Sequence, residues 1–450
     1  MRSNPKKRLK SRVRQEKFTG RQFISMVYVV LQRHYPDFDS LLNAVPDHRK
    51  RKTYEVAELI MAGLCMFIFK RGSRNQADLG VNAQFEQNYF LLWGKRVPVM
   101  DTLDVFLRKL PAQELEKLKS ILVKRLIENK VMEKWKYHGH HAVAIDGTGN
   151  CSYDYEPYPG CPHRTSKNGV TTYHAYVIEA KLVSENGWSI SLASEWLTNE
   201  EDIDKKQDCE RKAFLRLAKK IKKTYPRLPI LLLADGLYAN QTVFEVCRKN
   251  NWRFILTFKE GNLKSIWEEV GMLAPLHLNQ KLDRIKEKHP KKGWMTEQVF
   301  FINNLDYLKY KLNWMEYRAS YAGEDPHEYF CYITDIKMDK DTSWGICAQG
   351  RTRWCIENQG FNTQKNGGYN LQHKFSRKNL QAKKNYYELL QIGHLINQLV
   401  EKLKRIKDQQ FESKQTLSAI TADMICCMRK ETIEDDELAD LMEEYKQLRY

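Results

Sequence analysis

Apolar residues change their spacing several times along this chain, and each change predicts a different kind of structure. Over 21–137 they recur every three or four residues, the period of a helix face. The stretch 54–70 is apolar all round and predicts a buried helix. Asp101, with Asp104 three residues on, reads as an N-cap before Val105, Phe106 and Leu110. Leu115, Leu118, Leu122 and Leu126 mark one face of a helix over 113–130.

Beyond 138 the spacing becomes that of strands. A short apolar run over 142–146 ends in Asp146. Strands over 173–183 and 188–197 flank Ser184-Glu185-Asn186-Gly187, and Asn-Gly is the strongest hairpin signal. A helix over 204–224 carries Phe214, Leu217 and Ile221 on one face. The run 229–235 is apolar up to Asp235, as expected of a central parallel strand. A helix over 240–249 and a strand over 254–258 follow. This order, a meander and then alternating units, predicts a mixed α/β sheet. Aromatic, β-prone segments at 294–302, 307–317 and 328–334 predict a β-rich insertion over 271–344. Helical spacing returns after Arg351, and the leucine-rich 384–407 should pack on the core. The expected organisation is a basic arm (1–20), a helical region (21–137), the first part of an α/β core (138–270), the insertion (271–344), the second part of the core (345–410) and a helical acidic region (411–450).

Charge narrows the function. The 450 residues carry 74 Lys and Arg against 56 Asp and Glu, a net +18. An excess that large implies a polyanionic partner. Eight Lys/Arg fall in the first 17 residues, beside the single acid Glu16. The last 20 residues hold eight Asp/Glu and read as a solvated helix. The longest apolar run, 59–69, is too short to cross a bilayer, so no membrane insertion is expected. The stretch 23–31 follows a basic segment but lacks a small-x-small cleavage site and continues as Gln32-Arg33-His34, so it reads as a helix rather than a signal sequence. Ten scattered cysteines read as free thiols in a reducing cytoplasm. Cys151, Cys161 and His163, near His138, His140, His141 and His174, lack zinc-site spacing. The loop 151–172 is expected over the site or over DNA. No phosphate-cradling glycine motif appears, so no nucleotide cofactor is expected.

Two acids, Asp146 and Asp235, end two expected strands, each followed by glycine. That position is the rim of a sheet, where α/β proteins bind ligands, although Asp-Gly is equally a turn signal. Between Ala348 and Tyr387 lie Arg351, Arg353, Lys365, Lys374, Arg377, Lys378, Lys383 and Lys384, with Glu357 the lone acid. A segment that basic suits phosphates, and a carboxylate within it would repel them unless it held a cation. Arg353 and Glu357, at i and i+4, are equally an ordinary ion pair worth ~0.2–0.5 kcal/mol. Asp146, Asp235 and Glu357 together are hard oxygen donors suited to Mg²⁺ or Mn²⁺.

These residues resemble those of bacterial insertion-sequence transposases of the Asp-Asp-Glu type, in the cut-and-paste group. The resemblance spans roughly 138–385. That group's Asp-x-x-Tyr/Phe motif is matched by Asp235-Gly236-Leu237-Tyr238. Its Tyr-x2-Arg-x3-Glu-x6-Lys motif is matched at Arg353 and Glu357. Gly350 stands at the Tyr position and Gln364 at the Lys position, with Lys365 one residue late. The resemblance implies a ribonuclease-H-like mixed sheet interrupted by a β-rich insertion, with helical N- and C-terminal regions. It implies metal-dependent cleavage and strand transfer at terminal inverted repeats, by Asp146, Asp235 and Glu357 with two Mg²⁺ or Mn²⁺ ions. Arg351, Arg353, Lys365, Lys374, Arg377 and Lys378 are expected to contact double-stranded DNA, both transposon ends and target, in a homodimer. Trp294, Trp314 and Trp344 are candidates to hold an extruded base, with core packing the rival and more common role of each. The rival readings are a related metal-dependent nuclease and a domesticated DNA-binding protein without catalysis.

Overall fold

A computed structural model describes residues 19–199, 208–289, 293–321, 324, 326–413 and 417–450. The basic arm lies outside the described residues except for its last two. Ten strands join in one sheet: β1 (His141–Tyr153), β2 (His163–Thr165), β3 (Thr171–Val183), β4 (Ser189–Trp196), β5 (Ile230–Ala234), β6 (Arg253–Thr257), β7 (Lys281–His289), β8 (Gly293–Tyr307), β9 (Tyr310–Tyr321) and β10 (Glu328–Thr334). The order is β2-β3-β1-β5-β6-β10-β9-β8-β7, with β4 also on β3. β3 runs antiparallel to both β1 and β4, whereas β5 and β6 run parallel to β1. The fold is therefore mixed α/β with helical ends.

One expectation changes here. β1 does not stop at Asp146 but continues to Tyr153, because β3 pairs with it as far as Tyr153↔Tyr173. Asp146 thus lies two residues past the last pair with β5 and inside the strand, not at its end. The residues of the expected insertion join the same sheet. β10 pairs antiparallel with β6, so β7–β10 extend the core sheet. The expected loop over 151–172 contains β2, laid on β3.

The helices Glu210–Thr224 and Gln241–Asn250 contact β3, β4 and β6. The residues before Glu210 in the expected 204–224 helix include 204–207, outside the described residues. The helices Ala112–Glu128 and Leu380–Glu401 contact β4. They meet the sheet through a buried polar layer. Lys119 Nζ stands 2.7 Å from Glu388 Oε2, Lys181 Nζ donates to Gln391 at 2.6 Å, and Glu179 accepts from Ser194 at 3.0 Å. Burial pushes the Glu388 carboxyl up to about 7 and the Lys181 ammonium down to about 8.

The helix Leu380–Glu401 also packs on Val56–Ile68 and Met100–Lys109. Met100–Lys109 begins after Val99, so Asp101 lies in its first turn rather than at its cap. The cap is supplied from elsewhere: Asp78 accepts the Met100 N–H at 3.0 Å. The acidic C-terminal helix Asp435–Glu444 is not a free solvated helix. It docks on Gly20–His34, with Glu437 paired to Arg21 and Leu438 buried. Leu417–Lys430 packs beside it on the same helix. All ten cysteines are unpaired, and no helix among the described residues is long and apolar enough to cross a membrane.

Candidate active site

The parallel register of β1 and β5 ends at Ala144↔Leu233. Two residues further on each chain stand Asp146 and Asp235. Extending the register sets them side by side, on strands ~4.8 Å apart. Beyond β5 the backbone breaks away into the turn Gly236–Tyr238, which Asp235 caps by accepting the Leu237 N–H at 2.9 Å. Asp146 instead stays in the ladder opposite Glu179 and accepts the Gly147 N–H at 2.8 Å.

Glu357 arrives from a distant segment. The helix Thr342–Thr352 is followed by a π-helical turn, Ile356–Asn362, which lies against β1 and β4. Such wide turns recur at functional sites. Arg353 Nη1 donates to Glu357 Oε1 at 2.6 Å and stands 3.8 Å from Asp146 Oδ2. Its side chain is only 11% exposed, and its buried Nε has no partner. One guanidinium thus stands between two of the three acids.

The electrostatics tie the third acid to this pair. Asp146 is pushed up to about 6, first by burial and then by the Glu357 and Asp235 carboxylates; the Gly147 N–H and Arg353 oppose the shift. The donor set fits a hard divalent cation by type and charge. The geometry does not close around one, because Arg353 takes the space between Asp146 and Glu357. Among the described residues, no three His, Cys, Asp or Glu are grouped tightly enough to hold a metal.

A fourth acid was missed by sequence reasoning. Glu210, in the first turn of its helix, accepts the Tyr176 hydroxyl at 2.7 Å and the Tyr238 hydroxyl at 3.4 Å. A Cβ at Gly147 would stand 2.5 Å from Tyr176 Oη and 2.9 Å from Glu210 Oε1. Only glycine allows this tyrosine–carboxylate pair against β1, next to Asp146. Burial, Glu210 and the two aspartates all hold Tyr176 and Tyr238 in the phenol form. The only sequence signal was an acid opening the helix after the meander.

The other expected residues disperse. Arg351 pairs with Glu328 at 3.2 Å and covers the Phe330 ring. Lys365 is half-buried in a short helix, Thr363–Asn366. Gln364, at the motif's Lys position, is fully buried and donates to Gln391 at 2.8 Å. Gly350, at the motif's Tyr position, abuts Tyr332, whose ring lies 2.6 Å from where a Cβ would be. Lys374, Arg377 and Lys378 line a cleft with Arg74 and Arg108. Of the tryptophans, Trp314 is buried against Trp267 and Phe300, Trp344 lies under Arg284, and Trp294 is exposed on β8. No protein-family model matches this chain, and no curated protein matches it.

Proposed function

We propose that the chain is a DNA transposase of the Asp-Asp-Glu kind, which binds terminal inverted repeats and cuts and joins DNA with Mg²⁺ or Mn²⁺. The observation that carries this reading is the shared rim. Asp146 and Asp235 leave the β1–β5 pairing at the same level, and Arg353 links Glu357 to Asp146. The strand order β4-β3-β1-β5-β6, three antiparallel strands and then two parallel ones, supports a ribonuclease-H-like core. The four strands β7–β10, between β6 and Glu357, support an insertion in that core.

Asp146, Asp235 and Glu357 would hold the cations. A bound divalent ion supplies charge for the leaving oxygen and lowers the pKa of a water or 3′-hydroxyl. The chain's own groups do the positioning. Glu210 fixes the Tyr176 and Tyr238 hydroxyls behind the aspartates. Arg353 holds Glu357 and, once released, offers its guanidinium to a phosphate. In a bacterial cell the protein would act in the cytoplasm on the nucleoid, as a dimer holding two ends.

The test uses the full chain and duplex DNA containing the gene with its flanking sequence. Mg²⁺-dependent cuts at defined ends, with strand-joined products, are expected. Cleavage absent with both Mg²⁺ and Mn²⁺ would overturn the reading. The guanidinium between Asp146 and Glu357 favours a second reading, a DNA-binding protein without catalysis. Salt-sensitive binding with no cleavage under either metal would select it.

A further inference from the structure

Between the N-terminal helices and the segment leading into Leu380–Glu401 lies a cleft of about 970 Å³. Arg74 and Arg108 enter it from the helical side, and His373, Lys374, Arg377 and Lys378 from the other. Phe375 is the one apolar residue of its lining. Cavities of this size that take small organic ligands are mostly apolar, so this one suits a different class of ligand.

The cations are held ready. Asp104, buried, lies 3.3 Å from Arg74 Nη1 and 2.5 Å from Arg108 Nη2, and accepts the Tyr386 hydroxyl at 3.2 Å. One carboxylate therefore orients two guanidiniums and leaves a positive excess. Asp101, the other partner of Arg74, is 88% exposed, and such surface pairs are weak. Asp78 is engaged by the Met100 N–H. Among the described residues, Lys374, Arg377 and Lys378 have no carboxylate within ion-pair distance, and all three are exposed. Lys374 Nζ sits 4.5 Å from the centre of the Tyr153 ring. His373 is held below its usual range by partial desolvation and by Arg74 and Arg377, as a net positive field requires.

We infer that this cleft grips the phosphate backbone of duplex DNA, as a second contact separate from the acidic rim. The inference rests on the reading of the chain as a DNA-acting protein. β1 links the two places. Tyr153 is seven residues beyond Asp146 on that strand, a path of about 20 Å. That is about six base pairs of B-form duplex, so one duplex can reach both. The phosphates are gripped without base contacts, so the cleft adds affinity and register rather than sequence choice.

The experiment measures binding of a labelled random-sequence duplex to the full chain across a salt series, without metal. Replacing Lys374, Arg377 and Lys378 together by alanine should reduce the log–log salt slope by about 2 to 3. Affinity at moderate salt should fall at least about tenfold. Asp101→Asn, at an exposed position, should tighten binding severalfold by freeing Arg74. An unchanged slope and affinity in the triple variant, with an unchanged circular-dichroism melt, overturns the proposal. So does an RNA of equal length that binds more tightly than the duplex. Because no cleavage is needed, a cleft that fails to bind is seen separately from a rim that fails to cut.

Discussion

Arg353 Nη1 stands 3.8 Å from Asp146 Oδ2 while it donates to Glu357 at 2.6 Å. The guanidinium occupies, in this state, the position where a cation would neutralise both acids. Replacing Arg353 by alanine should therefore leave two carboxylates facing each other without compensation. Divalent-ion affinity should rise, and DNA cleavage should fall by about 10²-fold if the same guanidinium then serves a phosphate. Calorimetric Mg²⁺ titration and single-turnover cleavage give the two readouts. A variant that cuts normally would make Arg353 a purely structural partner.

Asp146 also gives stability a pH dependence. Its carboxyl is raised from 3.8 to about 6, so the folded chain binds its proton more readily than the unfolded one. Stability from this group is full below about pH 4 and is lost as pH rises through about 6. In metal-free buffer Asp146→Asn should therefore be more stable than the unaltered protein at pH 7, by about 1 to 3 kcal/mol. The advantage should vanish at pH 4. Urea unfolding at both pH values decides this, and a gap that stays constant with pH would place the cause elsewhere.

Glu210 holds two tyrosine hydroxyls behind the aspartates. Glu210→Ala leaves both without their acceptor and should cost about 1 to 3 kcal/mol. Glu210→Gln keeps an acceptor oxygen and should recover most of that loss. If positioning matters, cleavage should follow the same order while duplex binding stays constant. Equal melting temperatures for the two variants would show that the hydroxyls find other partners.

The departures from the transposase motif have packing causes, which two substitutions test. Gly350→Tyr drives a side chain into the Tyr332 ring, and overpacking of this kind costs about 1 to 3 kcal/mol or more. Gln364→Lys buries an ammonium in a fully enclosed layer, at a cost of several kcal/mol unless it loses its proton. Thermal melts should therefore drop for both, although each restores the motif. Tyr332→Ala should partly rescue Gly350→Tyr.

Much of this was legible in the chain. The run up to Asp235, the Asn186-Gly187 turn and the leucine face of Ala112–Glu128 carry strong local periods, and those elements formed where expected. Boundaries set by partners were not legible. β1 runs past Gly147 only because β3 supplies a ladder there. β7, Lys281–His289, shows no apolar run because it is an edge strand rich in charge, which discourages pairing with another chain. Asp146, Asp235 and Glu357 could be nominated from type and order. The insertion of Arg353 between two of them, and the support from Glu210, depend on contacts between segments far apart in sequence, which no local pattern records.

The helix Gly20–His34 packs on Leu380–Glu401 and also on Leu417–Lys430 and Asp435–Glu444. Gly20 donates its N–H to Asp423 across 403 positions, at 2.6 Å, and Tyr450 bonds His34 at 2.7 Å. At ~5–20 residues per second, synthesis of the partner takes roughly 20 to 80 s after the helix itself is made. During that interval the side of this helix that packs on Leu417–Lys430 and Asp435–Glu444 is uncovered. The bundle that carries Arg74 and Arg108 can thus reach its final stability only after residues 417–450 have been made. Completion of the support behind the basic cleft is then timed by synthesis of those residues rather than by a ligand.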